Sequence, residues 1–422
     1  MNRYLIKYLR DTAKDSIEKK YIDYFKVELD WYIYRYGDHF AKKQIVLKAE
    51  LIKIYQQIKT IFSEYKKPDS TNNILSSIYL TDKLFWSRLG YNAYSSILQP
   101  VGYNNLIGDK DTVLLKKKID KIISIQSFNN LYNTELFETI EENQNRDIIR
   151  YKKYNFKGLC LYTDQYFESK YLIDIFKAID RPSLVFSHGL PGIYSLDVDN
   201  RSDYLMVWGE KIKENYIKAG FNPDKVKVVG NLKYKNTGQK KVLRNTLENV
   251  LVIPHSSILW HQHEWDNVKL VDRSMIVLYL YEVQRVLERM NVKSARFRPH
   301  PTFNIDWVYR FIDNNFYVKD DEPLSESFKK STLIIGATST TFLEAINAGV
   351  NYIIYEPTDI RGKGLSNFKL VPPFDGSEKD IHVANTEDEL EYLIKHKYQT
   401  GAKCLDGYMQ PLDTSVIKSI IK

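Results

Sequence analysis

Cysteine is almost missing from this chain: Cys160 and Cys404 are the two copies in 422 residues. Two thiols give neither a disulfide framework nor a cysteine-based zinc module. Long apolar runs are missing too. Nothing reaches the roughly 20 residues that a membrane-spanning helix requires, and no secretory leader pattern is read at the start. A cytoplasmic setting is the expectation. The chain also lacks a zinc module, a basic heptad region and a ribonucleoprotein-type aromatic motif, so nucleic acid is not an expected partner. It has no glycine-rich fingerprint of the Rossmann or P-loop kind and no repeat with a period of tens of residues. No cofactor is expected.

What remains is an ordinary soluble balance, 43% apolar and 27% charged. The formal net charge of +8 suits anionic small molecules, an acidic membrane surface or an anionic glycan. A chain of 422 residues is too long for one ordinary core, so two domains are the default.

Residues 1 to about 70 carry Tyr, Lys, Leu and Ile at helical spacing and read as an N-terminal helical extension. Met1 to Lys20 is basic and amphipathic. It fits a helix packed on the main body, or one in peripheral contact with the inner face of the cytoplasmic membrane. Pro68-Asp-Ser-Thr-Asn-Asn73 breaks the pattern. Short strands then alternate with helices. Strands are predicted at Ile74 to Tyr79, Ala93 to Leu98, Gly158 to Tyr162, Ser183 to Phe186, Tyr204 to Trp208 and Lys225 to Val229. Helical spacing covers Thr81 to Leu89, Leu114 to Tyr151, Tyr166 to Ile179 and Lys211 to Ala219. Lys233 to Thr246 reads as the interdomain linker.

A second alternating half begins at Val250 to Ile253. It continues with a helix over Ser274 to Met290, a strand over Ala295 to Phe297, helical spacing at Trp307 to Asn314, a strand at Phe316 to Val318 and a helix at Leu324 to Lys330. The tail reads as a helix over Glu387 to His396, a loop and one final short helix. This predicts an α/β protein with two Rossmann-like domains facing across a cleft, at 71–240 and 241–385. The N-terminal helical extension (1–70) and a C-terminal helical tail (386–422) flank them.

The most informative stretch is Ser331 to Pro357. Leu333 to Ile335 is a continuous apolar run, as a parallel strand covered on both faces requires. Gly336 and Ala337 make a tight exit, and Thr338, Ser339, Thr340 and Thr341 crowd the next helix start. Gly349 closes that helix and Tyr352 to Tyr355 is the following strand. Hydroxyls and free N–H groups at such a helix start suit a phosphate, or they simply cap the helix. Glu344, about one turn in, is placed to reach a ribose hydroxyl.

Arg298-Pro-His-Pro301 precedes this Ser/Thr segment by about forty residues. In type, order and domain, His300-Pro301 followed by Thr338 to Thr341 resembles the GT-B glycosyltransferases. The likeness is greatest to sialyltransferase-type and Kdo-type bacterial enzymes that use CMP-activated acid sugars, where a His-Pro motif and a Ser/Thr motif serve the donor nucleotide. Ser187-His-Gly-Leu-Pro-Gly192 through Glu210 also resembles capsule-synthesis proteins and teichoic-acid-type polymerases. The resemblance covers about 74–385. It implies a nucleotide-sugar donor, with CMP favoured, and a glycan acceptor.

On this resemblance, His300, Pro301 and Arg298, with Arg296 nearby, would hold the donor phosphate, a charge-assisted contact. Thr338, Ser339, Thr340, Thr341 and Glu344 would join them. The loop at His255, Ser256 and Ser257 occupies a place that in GT-B enzymes often faces the donor. His188 matches the base candidate of the teichoic-acid type, and imidazole titrates in the useful range. Gly189 and Gly192 would let an acceptor approach the backbone closely. Asp164 is the rival base, or a helix N-cap; the acidic-acidic-Gly motif of the sialyltransferase type is not found. His261, His263 and Glu264 lack ligand spacing and a distant partner, so no metal site is expected.

The implied activity is inverting, metal-independent transfer of a sialic, legionaminic or pseudaminic acid or Kdo residue to a bacterial surface glycan, in capsule or lipopolysaccharide synthesis. The alternatives are a CDP-polyol phosphotransferase of the teichoic-acid type, a UDP-sugar transferase or UDP-sugar 2-epimerase, and a non-catalytic capsule-assembly scaffold.

Overall fold

A computed structural model describes residues 10–25, 68, 72–80, 82–124, 134–233, 242–254, 275–299, 307–358, 370–400 and 403–422. Within the N-terminal extension the described part includes helix α1 (Ser16–Tyr24). Asp15 caps it by accepting from the Glu18 N–H at 2.8 Å, while Glu18 Oε2 accepts from the Lys14 N–H at 2.6 Å. This reciprocal pairing resembles a capping box. Tyr21 stacks on Phe137 at 5.2 Å, and Lys170 Nζ donates to the carbonyls of Asp23 and Tyr24 at 2.7 and 3.2 Å. The helix thus packs on the main body.

The first α/β unit runs β1 (Asn73–Ser76), α2 (Phe85–Arg88), β2 (Asn92–Ser96), β3 (Asn105–Ile107), α3 (Lys110–Ser124), α4 (Thr134–Lys153) and β4 (Phe156–Leu161). It continues with α5 (Phe167–Ala178), β5 (Ser183–Phe186), β6 (Tyr204–Val207), α6 (Glu210–Lys218) and β7 (Val226–Val228). The seven strands form one sheet in the order β3-β2-β1-β4-β5-β6-β7, all parallel. In register Leu75 lies beside Leu159, and Val185 beside Leu205. Every residue of β1 and β5 is buried, as in parallel strands covered on both faces.

The second unit runs β8 (Val250–Ile253), α7 (Met275–Arg289), β9 (Ala295–Phe297), β10 (Tyr317–Lys319), α8 (Leu324–Lys330), β11 (Leu333–Gly336), α9 (Thr341–Asn347), β12 (Tyr352–Tyr355) and β13 (Val383–Ala384). Its six-stranded parallel sheet has the order β10-β9-β8-β11-β12-β13. The chain closes with α10 (Glu387–Lys395), α11 (Lys403–Tyr408) and α12 (Thr414–Ile420). Both sheets reverse winding direction once, at β1/β4 and at β8/β11. Ligands of open α/β sheets bind beyond the strand ends at such points.

Several expected segments come out differently. The helix expected at 81–89 is the single turn α2, followed by Gly90 at φ +87°. Of the long helical stretch, the described parts belong to α3 and α4. β3 and β13, at or near sheet edges and only a few residues long, carry no apolar run to announce them. Trp307 to Asn314 yields one 3-10 turn at Val308–Arg310. There Asp313 takes the Asn315 N–H at 2.8 Å, and its carbonyl takes those of Phe316 and Tyr317, a local alternative to helix. The end of the presumed linker is already fixed. Arg244 bridges to Val350, and its guanidinium bonds the carbonyls of Phe328 and Lys329.

The tail ends in two helices rather than one, and both lie on the first unit. In α11, Gly407 comes so close to Gly209 that a Cβ at Gly209 would strike its carbonyl. Lys211 pairs with Glu378, which also accepts from Tyr408 Oη at 2.9 Å. Ile417 and Ile421 of the last segment share a core with Ile74, Cys160, Leu184, Phe186 and Met206. Tyr91 Oη donates to the Ile421 carbonyl at 2.5 Å. Each such aliphatic side chain, fully buried, contributes roughly 1.5–3 kcal/mol. Among the described residues no helix is long and apolar enough to cross a membrane.

Candidate active site

The exits of β4 and β5 enclose a pocket of about 560 Å³. Tyr162, Thr163, Gln165 and Tyr166 line it after β4, and Ser187 to Ile193 after β5. The β5 loop is held in shape locally. Trp208 Nε1 donates to the Ser187 carbonyl at 2.9 Å, and Ser187 Oγ donates to the Gly189 carbonyl at 2.8 Å.

His188 stands on this loop, with its ring 6.2 Å from that of Tyr162 in an edge-on arrangement. His188 is exposed and lines the pocket. Burial, then the nearby Lys233 charge, holds its pKa below the ordinary imidazole value, against a hydrogen bond to the Tyr162 carbonyl that pulls the other way. In a neutral imidazole one nitrogen carries the proton. The other nitrogen is left as an acceptor. A neutral imidazole with a free lone pair can take a proton from a hydroxyl.

The same loop reaches the second unit. The Leu190 N–H donates to Thr340 Oγ1 at 2.9 Å. Gly189 lies beneath that hydroxyl, where a Cβ would collide with it. Glycine is required here by close approach. Ser187 to Gly192 and Thr338 to Thr341 therefore meet at one junction. Gly192 lines the pocket and is exposed.

The Ser/Thr segment is already partly engaged. Thr340, the N-cap of α9, makes no side-chain capping bond; its hydroxyl serves Leu190 instead. Ser339 Oγ accepts from the Thr341 N–H at 3.2 Å. The Thr338 N–H donates to Glu356 Oε1 at 2.6 Å, so a protein carboxylate occupies an N–H that a phosphate would use. Glu344 is half-buried within α9.

Arg298 is held within the second unit. Its Nη1 donates to the Glu322 carbonyl at 2.6 Å and to Ser327 Oγ at 3.0 Å, and it pairs with Asp320 at 3.5 Å. Arg296 pairs with the other oxygen of Asp320 at 3.2 Å. Asp320 is 4% exposed, and the two guanidiniums compensate its charge. His300, Pro301, His255, Ser256, Ser257, His261, His263 and Glu264 lie outside the described residues.

Asp164 does not line the pocket. Its side chain is wholly buried: Oδ2 accepts from the Arg201 N–H at 2.5 Å, and Arg201 Nη1 lies 3.8 Å from Oδ1. Two residues that do line the pocket were not singled out from the sequence. Lys233 falls at the start of the presumed linker. Asp199 ends Asp197-Val198-Asp199, an Asp-x-Asp spacing that is the one signal available there. Asp199 sits at φ +56° and accepts from Tyr216 Oη at 3.4 Å. Burial, then the charge of Asp164, raises its carboxyl pKa to about 7.

No family model matches the chain, and no curated protein matches it. Solved structures are similar in architecture. A UDP-GlcNAc 2-epimerase from Neisseria meningitidis bound to UDP-GlcNAc shares 11% identity, over 82% of this chain and 98% of that one, at a TM-score of 0.45. A variant of the wall teichoic acid polymerase TagF shares 11%, over 86% and 91%, at 0.41. HepE of Anabaena in complex with UDP and glucose shares 10%, over 83% and 96%, at 0.39. These are likenesses of chain path, and no residue role is taken from them.

Proposed function

We propose that this protein is an inverting, metal-independent glycosyltransferase of the GT-B architecture. On this reading it moves an acid sugar of the sialic, legionaminic, pseudaminic acid or Kdo class from a CMP-activated donor to a bacterial surface glycan. The supporting observation is the junction between the two units. The His188 loop and the hydroxyl-rich loop after β11 touch through Leu190 and Thr340, so a base and a donor-side segment lie on one cleft.

In this reading the acceptor occupies the pocket beside His188. Its hydroxyl oxygen forms a bond to the anomeric carbon as the bond from that carbon to the CMP phosphate breaks. The hydroxyl proton passes to the free imidazole nitrogen, and CMP departs with the electron pair. The lowered pKa of His188 keeps the ring neutral and ready at neutral pH. Thr338 to Thr341, His300 and Glu344 are the proposed donor-side residues; Arg298 acts instead as a packing residue of the second unit.

One observation favours a second reading, polyol-phosphate transfer from a CDP donor. His188 lines the pocket while Asp164 is sealed away from it, and a His-Gly base is the feature shared with the teichoic-acid type. A thermal-shift screen against CMP, CDP, UDP and GDP tests the first reading. CMP is expected to raise the melting temperature most, since a ligand at 100 times its Kd adds about 2.7 kcal/mol. A response to UDP alone would overturn the CMP assignment, and none to any nucleotide would overturn the transferase reading. Phosphorus in the glycan product would select the second reading.

A further inference from the structure

We infer that Tyr79 and Tyr103 form an aromatic platform beside the pocket, a second acceptor subsite that takes a pyranose next to the reacting sugar of a glycan chain. The topology lines the rings up. In the sheet order β2-β1-β4-β5, Tyr103 lies in the connection after β2 and Tyr79 in the loop after β1. Tyr162 stands at the exit of β4 and His188 at the exit of β5. Because these strands are parallel, all four residues lie at one edge of the sheet. From β5 to β1 is two strand spacings, roughly 10 Å, further than one sugar ring extends.

Tyr79 is 62% exposed, yet its backbone is fastened from both sides. Tyr162 Oη donates to the Tyr79 carbonyl at 2.8 Å. Tyr103 Oη accepts from the Leu80 N–H at 2.6 Å and donates to the Ile78 carbonyl at 3.2 Å. Two hydroxyls thus hold three successive residues. The Tyr79 and Tyr103 rings meet at 63° with centroids 5.6 Å apart, and a Cβ on Gly102 would sit 3.7 Å from the Tyr79 hydroxyl. The Tyr79 ring therefore rests against the turn that the Asn104 N–H closes on the Val101 carbonyl, and its remaining surface faces solvent. Tyr162 itself lines the pocket and meets the His188 ring edge-on at 6.2 Å, so one residue joins the platform to the pocket wall.

A single exposed tyrosine needs no explanation; a fastened one, attached to a pocket, has a use. The face of its ring is electron-rich and meets the C–H face of a pyranose, while the hydroxyl at its tip can bond a substituent of the sugar. Since the loop and ring are already placed, little ordering remains to oppose binding. Two rings suit one sugar, whereas a protein partner takes about 20–30 residues a side. The ligand is thus an oligosaccharide, and the platform holds a unit inward from the terminus whose hydroxyl enters the pocket. This assignment rests on the pocket being the acceptor site of the proposed transfer.

Binding of the full chain to an array of mono-, di- and trisaccharides, without nucleotide, tests the subsite. The oligosaccharide bound best should exceed its own terminal monosaccharide by roughly three- to tenfold, the range of one ring contact. Tyr79→Ala should erase that advantage and keep the monosaccharide, while Tyr79→Phe, which retains the ring, should preserve it. Both variants should melt close to the wild type, because Tyr79 is fastened through its carbonyl. An array on which the wild type binds no glycan, or an advantage that survives in Tyr79→Ala, would overturn the subsite. So would a dimer in sedimentation that Tyr79→Ala dissociates, which would give the platform to a second copy of the chain. The nucleotide screen separates this from the transfer itself. A nucleotide response without oligosaccharide preference defeats the subsite alone, and a Tyr79-dependent preference without any nucleotide response defeats the transferase reading alone.

Discussion

Leu190 donates its backbone N–H to Thr340 Oγ1 across 2.9 Å, and that bond joins the exit of β5 in one sheet to the exit of β11 in the other. Gly189 packs beneath the same hydroxyl. The separation of the two loops is therefore set by one hydroxyl and by the absence of one methyl group.

Gly189→Ala should disturb this junction, costing roughly 1–3 kcal/mol as an overpacked contact does. Thr340→Ala should cost about 0.5–1.5 kcal/mol for the lost bond. Because the second change removes the atom that the first would strike, the double variant should lose less than the two single losses added. Urea denaturation of all four proteins measures this coupling, and strictly additive losses would show that the two residues do not meet in solution.

His188→Ala should lower turnover at least ~100-fold, as loss of a general base does, while nucleotide affinity is kept. The acid limb of the kcat/KM profile should lie below pH 6.5, the unperturbed value, because burial and Lys233 both disfavour the charged ring. Lys233→Gln should move that limb upward. A limb that stays in place would remove Lys233 from the electrostatics of the site.

Arg298→Ala should act on stability rather than on the donor. Removing the guanidinium leaves Asp320 with one cation of its two, and breaking a buried pair costs on the order of 3–5 kcal/mol. A lower melting temperature with unchanged nucleotide affinity is expected. The opposite outcome, a stable variant that has lost the nucleotide, would return Arg298 to the donor phosphate.

Asp147 makes stability depend on pH. Burial raises its pKa from 3.8 to about 6, more than the Arg150 guanidinium, at 2.7 Å, lowers it. The folded chain then holds a proton that the unfolded chain has released. Its contribution is full below about pH 4 and lost as pH rises through about 6, on the order of 3 kcal/mol for a shift of about two units. Denaturation midpoints should fall between pH 5 and pH 7, and Asp147→Asn should flatten that slope. A wild-type stability that climbs over this interval would contradict the assignment.

The central strands were legible because burial on both faces writes itself as an apolar run. Ser183 to Phe186, Val250 to Ile253, Ala295 to Phe297 and Tyr352 to Tyr355 were read with the bounds they have. Asn105–Ile107 was not, since it pairs on one side only and half of its surface stays wet. Ser187 to Gly192 and Thr338 to Thr341 were recognised as exit loops, because a strand that ends in Gly, Ser or Thr announces a turn. Their contact through Leu190 and Thr340 was expected only as a shared cleft. Asp199 and Lys233 had no such signal. An aspartate in a polar loop and a lysine after an Asn-Leu pair look solvated until the fold carries them to the same pocket. Arg298 resembles a phosphate ligand beside a His-Pro pair, and its pairing with buried Asp320 has no signal in the sequence.

The docking of Ile417 and Ile421 on the first sheet bears on how the protein is made. A ribosome releases β1 to β7 long before it releases the helix that covers Ile74, Cys160, Leu184 and Met206. During that interval one face of the sheet is greasy and uncovered, a surface on which nascent chains aggregate or recruit chaperones. A fragment cut at residue 240 would keep this exposure permanently. It should bind a hydrophobic dye and precipitate, and adding residues 403–422 in trans should quench the dye. A soluble, dye-silent fragment would mean that the sheet can close without its last helix.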